Sequence, residues 1–259
     1  MIVDNAIHQL NDSDIAFLGL DYYGTCGEQG FGPSLIRESL NGFSSYDPLT
    51  RKDAFNELRI CDLGDVKSDD FKELSIKVNG LLNNLHSTLI MLGGEHLVSL
   101  PVIKQLRPDN IVFLDAHADY FNEFNGRGQS YATVTRRVSE LVSNVVVSGV
   151  RDLTLTEAKD LEGSNVKLCS MNELLKMKFK GSLYVSVDLD VLDPIYCPEV
   201  STPIPMGWSL TDLVKVLNKI CINNDLLGLD VVELTAKEKG LSSVNAGGII
   251  MNYLKRRCR

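Results

Sequence analysis

What the chain lacks narrows it first. No apolar run reaches the length of about 18 residues at which a helix crosses a membrane, so no helical span is expected. The leading residues MIVDNAIHQLNDSD carry neither a basic segment nor an apolar core, and no secretory signal is expected there. No C-x-x-C pair occurs: Cys26, Cys61, Cys169, Cys197, Cys221 and Cys258 are scattered. They read as reduced, mostly buried thiols, and the expected location is the cytoplasm. Positive charge is short, with 26 Lys and Arg against 34 Asp and Glu and a net charge of −8. That balance argues against nucleic acid as the main partner and suits a cationic ligand. Glycine is plentiful, yet GTCGEQGFGPSLIRESL matches neither G-x-G-x-x-G nor a phosphate loop ending in Gly-Lys-Ser/Thr. It reads as a flexible rim loop entering a helix near Pro33. No internal repeat and no linker is visible, and 259 residues suit one domain spanning 1–259.

What is present is a regular alternation of strand and helix signals. Apolar, β-branched runs lie at 15–20, 58–63, 89–92, 111–114, 145–150, 166–169, 183–187 and 226–232. Helical stretches are expected at 69–85, 95–106, 132–142, 154–161, 172–177, 210–220 and 244–257. In the first of these, Phe71, Leu74, Ile76, Val78, Leu81 and Leu82 are expected near one face. Residues 47–56 are polar and expected to be loop. About eight strands alternating with helices imply an α/β fold, a parallel sheet with helices on both faces. A closed (β/α)₈ barrel is the rival, and periodicity does not separate the two.

The stretch NIVFLDAHAD (110–119) organises the chain. Its first half reads as a strand buried on both faces. Asp115, His117 and Asp119 then alternate with alanines, and in an extended chain residues two apart point one way. The pattern recurs. LYVSVDLDVLDP ends a strand in Asp188 and Asp190, LIMLGGEH runs into His96, and LLGLDVVEL carries Asp230 and Glu233. A single strand-end aspartate is as often a helix cap or turn former. Four strands ending in acids or histidines are hard to read as caps, and parallel sheets build sites beyond their carboxyl ends.

His96, Asp115, His117, Asp119, Asp188 and Asp190 bring together two imidazoles and four carboxylates. One divalent ion leaves several of those anions unneutralised, so two ions sharing aspartates are expected. Imidazole and oxygen donors with carboxylate in excess point to Mn²⁺, with Fe²⁺, Co²⁺ and Zn²⁺ as alternatives. Two such ions can share a water and lower its pKa, which suits hydrolysis at an electrophilic carbon or phosphorus.

GGEH (93–96), DAHAD (115–119) and SVDLDVLDP (186–194) resemble the three signature motifs of the ureohydrolases, the arginase, agmatinase and formiminoglutamase enzymes. The likeness runs from FGP-x-x-I-R-E near 31–38 to SVNAG at 243–247, nearly the whole chain. The resemblance implies a three-layer α/β/α sandwich around an eight-stranded parallel sheet, a two-manganese centre and a trimeric or hexameric homo-oligomer. It makes His96, Asp115, Asp119 and Asp188 ligands of one ion and Asp115, His117, Asp188 and Asp190 ligands of the other. Asp115 and Asp188 bridge, and a hydroxide held between the ions attacks the guanidinium carbon to release urea and an amine. Glu233 matches the family's guanidinium-holding glutamate, a role a carboxylate fills through two charge-assisted hydrogen bonds. The segment YFNEFNGRGQSYATVTRRV resembles the agmatinase form, in which an acidic loop with Glu123 is tolerable because agmatine has no carboxylate.

Three departures stand out. Tyr131 occupies the position of a histidine credited with delivering a proton to the leaving amine, and a phenol is a poor shuttle near neutrality. Glu95 replaces the aspartate of GGDH beside His96. In STPIPMGW, Ser201, Met206 and Trp208 replace smaller residues, with added bulk expected at the entrance. The expected activity is hydrolysis of agmatine to urea and putrescine, a step of polyamine biosynthesis. The alternatives are another guanidino or formimino substrate (arginine, guanidinobutyrate, formiminoglutamate) and a non-catalytic metal-binding relative.

Overall fold

The computed structural model describes residues 2–27 and 29–258. Eight strands form one sheet: β1 (Ile15–Asp21), β2 (Ile60–Lys67), β3 (Thr88–Gly93), β4 (Asn110–Leu114), β5 (Asn144–Ser148), β6 (Val166–Cys169), β7 (Ser182–Asp188) and β8 (Asp225–Val232). Their order in space is β2-β1-β3-β8-β7-β4-β5-β6, and every pairing is parallel. The sheet is open, with β2 and β6 at its edges, so the barrel is excluded.

Helices cover both faces: α1 (Gly32–Asn41), α2 (Phe71–Leu82), α3 (Ser99–Leu106), α4 (Val134–Ser139), α5 (Leu155–Leu161), α6 (Leu210–Ile220) and α7 (Leu241–Arg257). The sheet separates two cores. Ile36 and Leu40 of α1, Val216 of α6 and Ile250 of α7 pack on one face. Leu74 and Val78 of α2, Val102 of α3 and Val138 of α4 pack on the other. Successive residues of a strand feed opposite cores: Val112 and Leu114 the first, Ile111 and Phe113 the second. A strand between two cores needs apolar residues at every position, which is why the central strands read as unbroken runs.

Several local expectations change. In α2, Leu74, Val78 and Leu82 are buried, but Ile76 is 63% exposed and Leu81 37%. At about 100° per residue, Ile76 lies on the far side from Leu74. The segment 47–56 is not plain loop. Tyr46–Asp47 pairs antiparallel with Lys52–Asp53, and Asp53 then caps the helical turn Ala54–Glu57 by accepting the Phe55 N–H. Strand β2 carries Asp62 and continues beyond the expected end at Leu63 to Lys67, a part that Gly64 and Asp65 conceal in the sequence. The fully buried Arg37 guanidinium offsets both charges, donating to Asp62 at 2.8 and 2.9 Å and pairing with Asp65. The stretch 95–106 opens as a tight 3₁₀ turn, His96–Val98, and becomes α-helical only at Ser99, with Pro101 in its first turn. Likewise Tyr131–Thr133 is a 3₁₀ turn ahead of a shorter helix than expected.

The rim loop is not loose where it meets the sheet. A Cβ on Gly32 would fall 2.9 Å from the Gly93 carbonyl oxygen, so glycine permits this backbone approach.

Candidate active site

The four strands β3, β8, β7 and β4 are neighbours at the centre of the sheet. Their register sets Val232 level with Asp188, and Val187 level with Leu114. Asp188, Asp115 and Glu233 therefore leave the sheet along one line, with His96 one turn beyond β3. This is the carboxyl end, where adjacent strands stop being consecutive in the chain.

His96 Nδ1 lies 3.2 Å from Asp115 Oδ2, 3.1 Å from Asp119 Oδ2 and 3.2 Å from Asp188 Oδ2. His117 Nδ1 lies 2.8 Å from Asp190 Oδ2 and 3.6 Å from Asp115 Oδ1. Two groups result, His96–Asp115–Asp119 and Asp115–His117–Asp190, with Asp115 common to both. All six residues expected as ligands come together, and Asp188 stands beside His96.

Alternation is not what gathers them. Strand β4 ends at Leu114, and Asp115–Asp119 is a folded turn in which Asp119 takes a left-handed backbone, φ 49°. The turn is tied down by one aspartate of its own and one from just past the end of β7: His117 N–H donates to Asp115 Oδ1 at 2.6 Å and Ala116 N–H to Asp190 Oδ1 at 2.9 Å. Asp188 closes β7 and accepts the Asp190 N–H at 2.8 Å, so Asp190 sits on a 3₁₀ turn. Each of these three acids thus holds backbone with one oxygen and offers the other to the centre.

Electrostatics match a cation site. Burial, reinforced by the Asp115 charge, raises Asp119 to about 7, and burial raises Asp188 and Asp190 as well. Burial opposes charge on His117, but Asp115 and Asp190 outweigh it and push the imidazole to about 12. His96 Nδ1 and Asp115 Oδ2 are buried without a hydrogen-bond partner. Orphaned donor atoms facing one another among four carboxylates are what a divalent ion would satisfy, and the donor set fits one. The cluster is a candidate divalent-metal site.

Residues without an assigned role in the sequence support it from behind. Ser186 Oγ contacts Asp230 at 2.6 Å and His96 Nε2 at 3.0 Å. With Ser186 donating to the carboxylate, His96 donates from Nε2 and turns its Nδ1 lone pair to the centre. Asp230 therefore stays beneath the site. Sequence reasoning also misses Arg151. Its guanidinium donates to the carbonyls of Asp190 and Ile204, each at 2.6 Å, and binds the Asp190 turn to the proline-rich loop. An isolated arginine in GVRD gives no periodic signal.

A cavity of about 230 Å³ opens onto the cluster, lined by His117, Asp119, Asp188, Asp190 and Glu233 at its floor. Phe121, Phe124, Tyr131 and Leu153 form an apolar wall, and Asp152 and Glu157 add carboxylates. No lysine or arginine lines it among the described residues. Phe124 stacks on both Phe121 and Tyr131 with ring centroids 5.5 Å apart, edge-on in the second case. Glu233 is buried with a left-handed backbone, φ 67°; its Oε1 accepts the His96 N–H at 2.6 Å and its Oε2 accepts Ser201 Oγ at 2.9 Å. Burial raises its carboxyl to about 8. Burial also raises the Tyr131 phenol, with Glu233 and Asp119 adding to the effect.

The rim differs from expectation in two respects. Glu123 is exposed and does not line the cavity; its acidity comes from Asp152 and Glu157. Met206 is 88% exposed and Trp208 packs half-buried against the core; both lie off the cavity, where the proline-rich loop contributes Thr202 instead.

No helix among the described residues is long and apolar enough to cross a membrane. The chain is 30% identical to an agmatinase of Pyrococcus horikoshii, with 95% of this chain and 92% of that protein covered. It is 28% identical to an N(1)-aminopropylagmatine ureohydrolase of Thermococcus kodakarensis, over 86% of this chain and 83% of that one. The agmatine ureohydrolase structure of Thermoplasma volcanium superposes with a TM-score of 0.89 at 24% identity, covering 99% of this chain and 94% of that one. This likeness carries the three-layer fold. The arginase family model matches residues 13–254, and with the motifs and fold in agreement the chain belongs to the arginase family, metal-dependent hydrolases of guanidino C–N bonds.

Proposed function

We propose that the protein is an agmatinase-like ureohydrolase that converts agmatine to urea and putrescine. The observation that carries this reading is the cavity itself: a His/Asp cluster at its floor, Glu233 beside it, and no cationic side chain in its lining among the described residues. A substrate ending in a carboxylate, such as arginine or guanidinobutyrate, finds no partner there. One ending in an ammonium meets Asp152 and the faces of Phe121, Phe124 and Tyr131.

His96, Asp115, Asp119 and Asp188 would hold one ion, and Asp115, His117, Asp188 and Asp190 a second, with Mn²⁺ favoured by the donor set. When bound, the pair supplies activated water and neutralises the four carboxylates. The chain's own residues do the rest. Glu233 pairs with the planar guanidinium and sets its carbon over the cluster. The His96 N–H and Ser201 hydroxyl fix that carboxylate, leaving little rotamer freedom to lose on binding. Asp119 receives the proton shed in the attack and holds it for the departing amine. Tyr131, protonated at neutral pH, presents its phenol in the cavity wall and is a weak shuttle. The apolar wall excludes bulk water around the substrate's methylenes.

The reading includes a cytoplasmic homo-oligomer, a trimer or hexamer, which light scattering tests. The activity is tested by urea release from agmatine by protein reconstituted with Mn²⁺, with arginine and guanidinobutyrate alongside. Urea from agmatine in clear preference is expected. Preference for either carboxylate-bearing compound overturns the substrate assignment, and no urea from any of them with two ions bound overturns the hydrolase reading.

A further inference from the structure

The wall of the cavity and its floor are carried by different segments, and one side chain links them. Glu95 follows the Gly93-Gly94 turn and precedes His96, and it is fully buried. Its backbone is pinned: Glu95 N–H donates to the Tyr22 carbonyl at 2.9 Å, and Gly94 N–H to that of Leu20 at 2.9 Å. A Cβ on Gly94 would lie 2.2 Å from the Tyr22 carbonyl oxygen, so this approach depends on glycine.

The Glu95 carboxylate points away from the cluster, into the rim loop. Oε2 accepts the backbone N–H groups of Thr25 at 2.6 Å and Cys26 at 3.0 Å. Oε1 accepts the Thr25 hydroxyl at 2.6 Å. With its proton committed there, Thr25 Oγ1 has a lone pair free, and it accepts the Tyr131 N–H at 3.1 Å. A second strut, from Arg127 to the Gly24 carbonyl at 2.6 Å, ties the same two segments at their exposed edge. The wall is also braced within itself, Phe121 N–H donating to the Ala132 carbonyl at 3.2 Å. Moving the Tyr131 backbone therefore moves the ring stacked on Phe124.

We propose that Glu95 is a positioning residue: through Thr25 it fixes the backbone at Tyr131, and so sets the distance between the aromatic wall and the floor of the cavity. Three donors on one loop meet a carboxylate that has the reach of two methylenes. Aspartate, one methylene shorter on the same pinned backbone, cannot meet all three. Glutamate at this position and the threonine at 25 act as a pair. The kinetic arm of this inference rests on the proposed hydrolysis; its structural arm does not.

The test compares E95D, T25V, T25S and the double variant E95D/T25V in Mn²⁺-loaded protein. Three readouts are taken: amide hydrogen exchange at Tyr131, bound Mn²⁺, and KM and kcat for agmatine. E95D and T25V should each speed Tyr131 exchange and raise KM by about five- to tenfold, the loss of one buried hydrogen bond. The double variant should be no worse than either single one, and T25S, which keeps the hydroxyl, should restore both readouts. Wild-type exchange at Tyr131 in T25V overturns the proposal. So does an E95D variant that loses Mn²⁺ and kcat with Tyr131 exchange unmoved, because Glu95 would then act on His96. If no variant and no wild-type protein releases urea, while Tyr131 exchange still responds as described, the positioning role stands and the proposed reaction fails.

Discussion

The two ends of the cavity are built on different principles. The floor is made by the ends of four neighbouring strands, and its acids are locked by backbone N–H groups at 2.6–2.9 Å. The wall is made by the loops 121–131 and 152–154, half-buried or exposed for the most part, and is held by a few bonds such as those through Thr25. Rigid strand ends suit a constellation that fails if any donor shifts, whereas loops can change length and residue without disturbing the sheet. On the proposed reading the difference separates reaction from selectivity: the floor would carry the hydrolysis, and the wall the choice of substrate tail.

The comparison breaks most severely at Asp115, the acid common to both groups. Asp115→Asn leaves the side-chain shape but removes a shared charge. It should lower kcat/KM for agmatine by about a thousandfold or more and reduce the bound metal. Metal analysis alongside urea release checks this; full metal content with full activity excludes Asp115 as a bridge. Glu233→Gln is next. It keeps one acceptor and loses the charge that pairs with the guanidinium, so kcat/KM should fall by about a hundredfold, as for breaking one buried charge pair. The loss should appear with metal content at the wild-type level, since Glu233 lines the cavity and belongs to neither donor group.

Removing metal probes the floor alone. A site saturated at about 100 times its dissociation constant stabilises by ~2.7 kcal/mol, so chelation should lower the melting temperature by about 5 °C for a chain of 259 residues. The metal-free protein should then depend on pH in a defined sense. Asp119 at about 7 and His117 at about 12 are both raised above their ordinary values, so the folded state binds more protons than the unfolded one. The contribution of Asp119 is complete below about 4 and lost as pH rises through 7; that of His117 is complete below about 6.5 and lost toward 12. Metal-free protein should therefore melt at a higher temperature at pH 6 than at pH 8. Metal binding displaces those protons and should reverse the trend. Scanning calorimetry at both pH values, with and without Mn²⁺, is decisive; a chelated sample that is more stable at pH 8 contradicts the assigned burial of the cluster.

The floor is legible in the sequence and the wall is not, for physical reasons. A central strand fed by two cores must be apolar throughout, so Ile111–Leu114 and Leu183–Val187 stand out, and any acid at their ends is conspicuous. Even so, Asp115, His117 and Asp119 come together for a reason other than the period-two reading, because a folded turn with Asp119 at φ 49° gathers them. Strand β2 reads short because Gly64 and Asp65 break its apolar pattern after Leu63, and only the buried Arg37, distant in the chain, explains why Asp62 and Asp65 are tolerated. Adjacency in the chain places Met206 and Trp208 at the entrance, but loop direction decides exposure, and local composition does not encode it. Arg151 and Ser186 act through long-range hydrogen bonds that no spacing announces.

Tyr131 gives the smallest effect and the sharpest view of the wall. Its phenol is raised above its ordinary value of about 10 by burial, and then by the nearby Glu233 and Asp119 charges. A group held protonated so firmly is almost never phenolate near neutrality, so a shuttle step that needs it to take up a proton should climb toward alkaline pH. Tyr131→His places an ionisable group of ordinary pKa about 6.5 on the same backbone, which Thr25 still holds through the N–H. The cost is the edge-on contact with Phe124, worth about 1 kcal/mol, which should appear as a higher KM. Turnover at pH 7 should nevertheless rise about two- to fivefold, a small part of what full general acid catalysis supplies, because the imidazole must find its angle on a wall shaped for a phenol. The rising limb of the kcat profile should shift toward neutral pH as well. A higher KM with an unmoved profile assigns Tyr131 to binding alone and leaves proton delivery to Asp119.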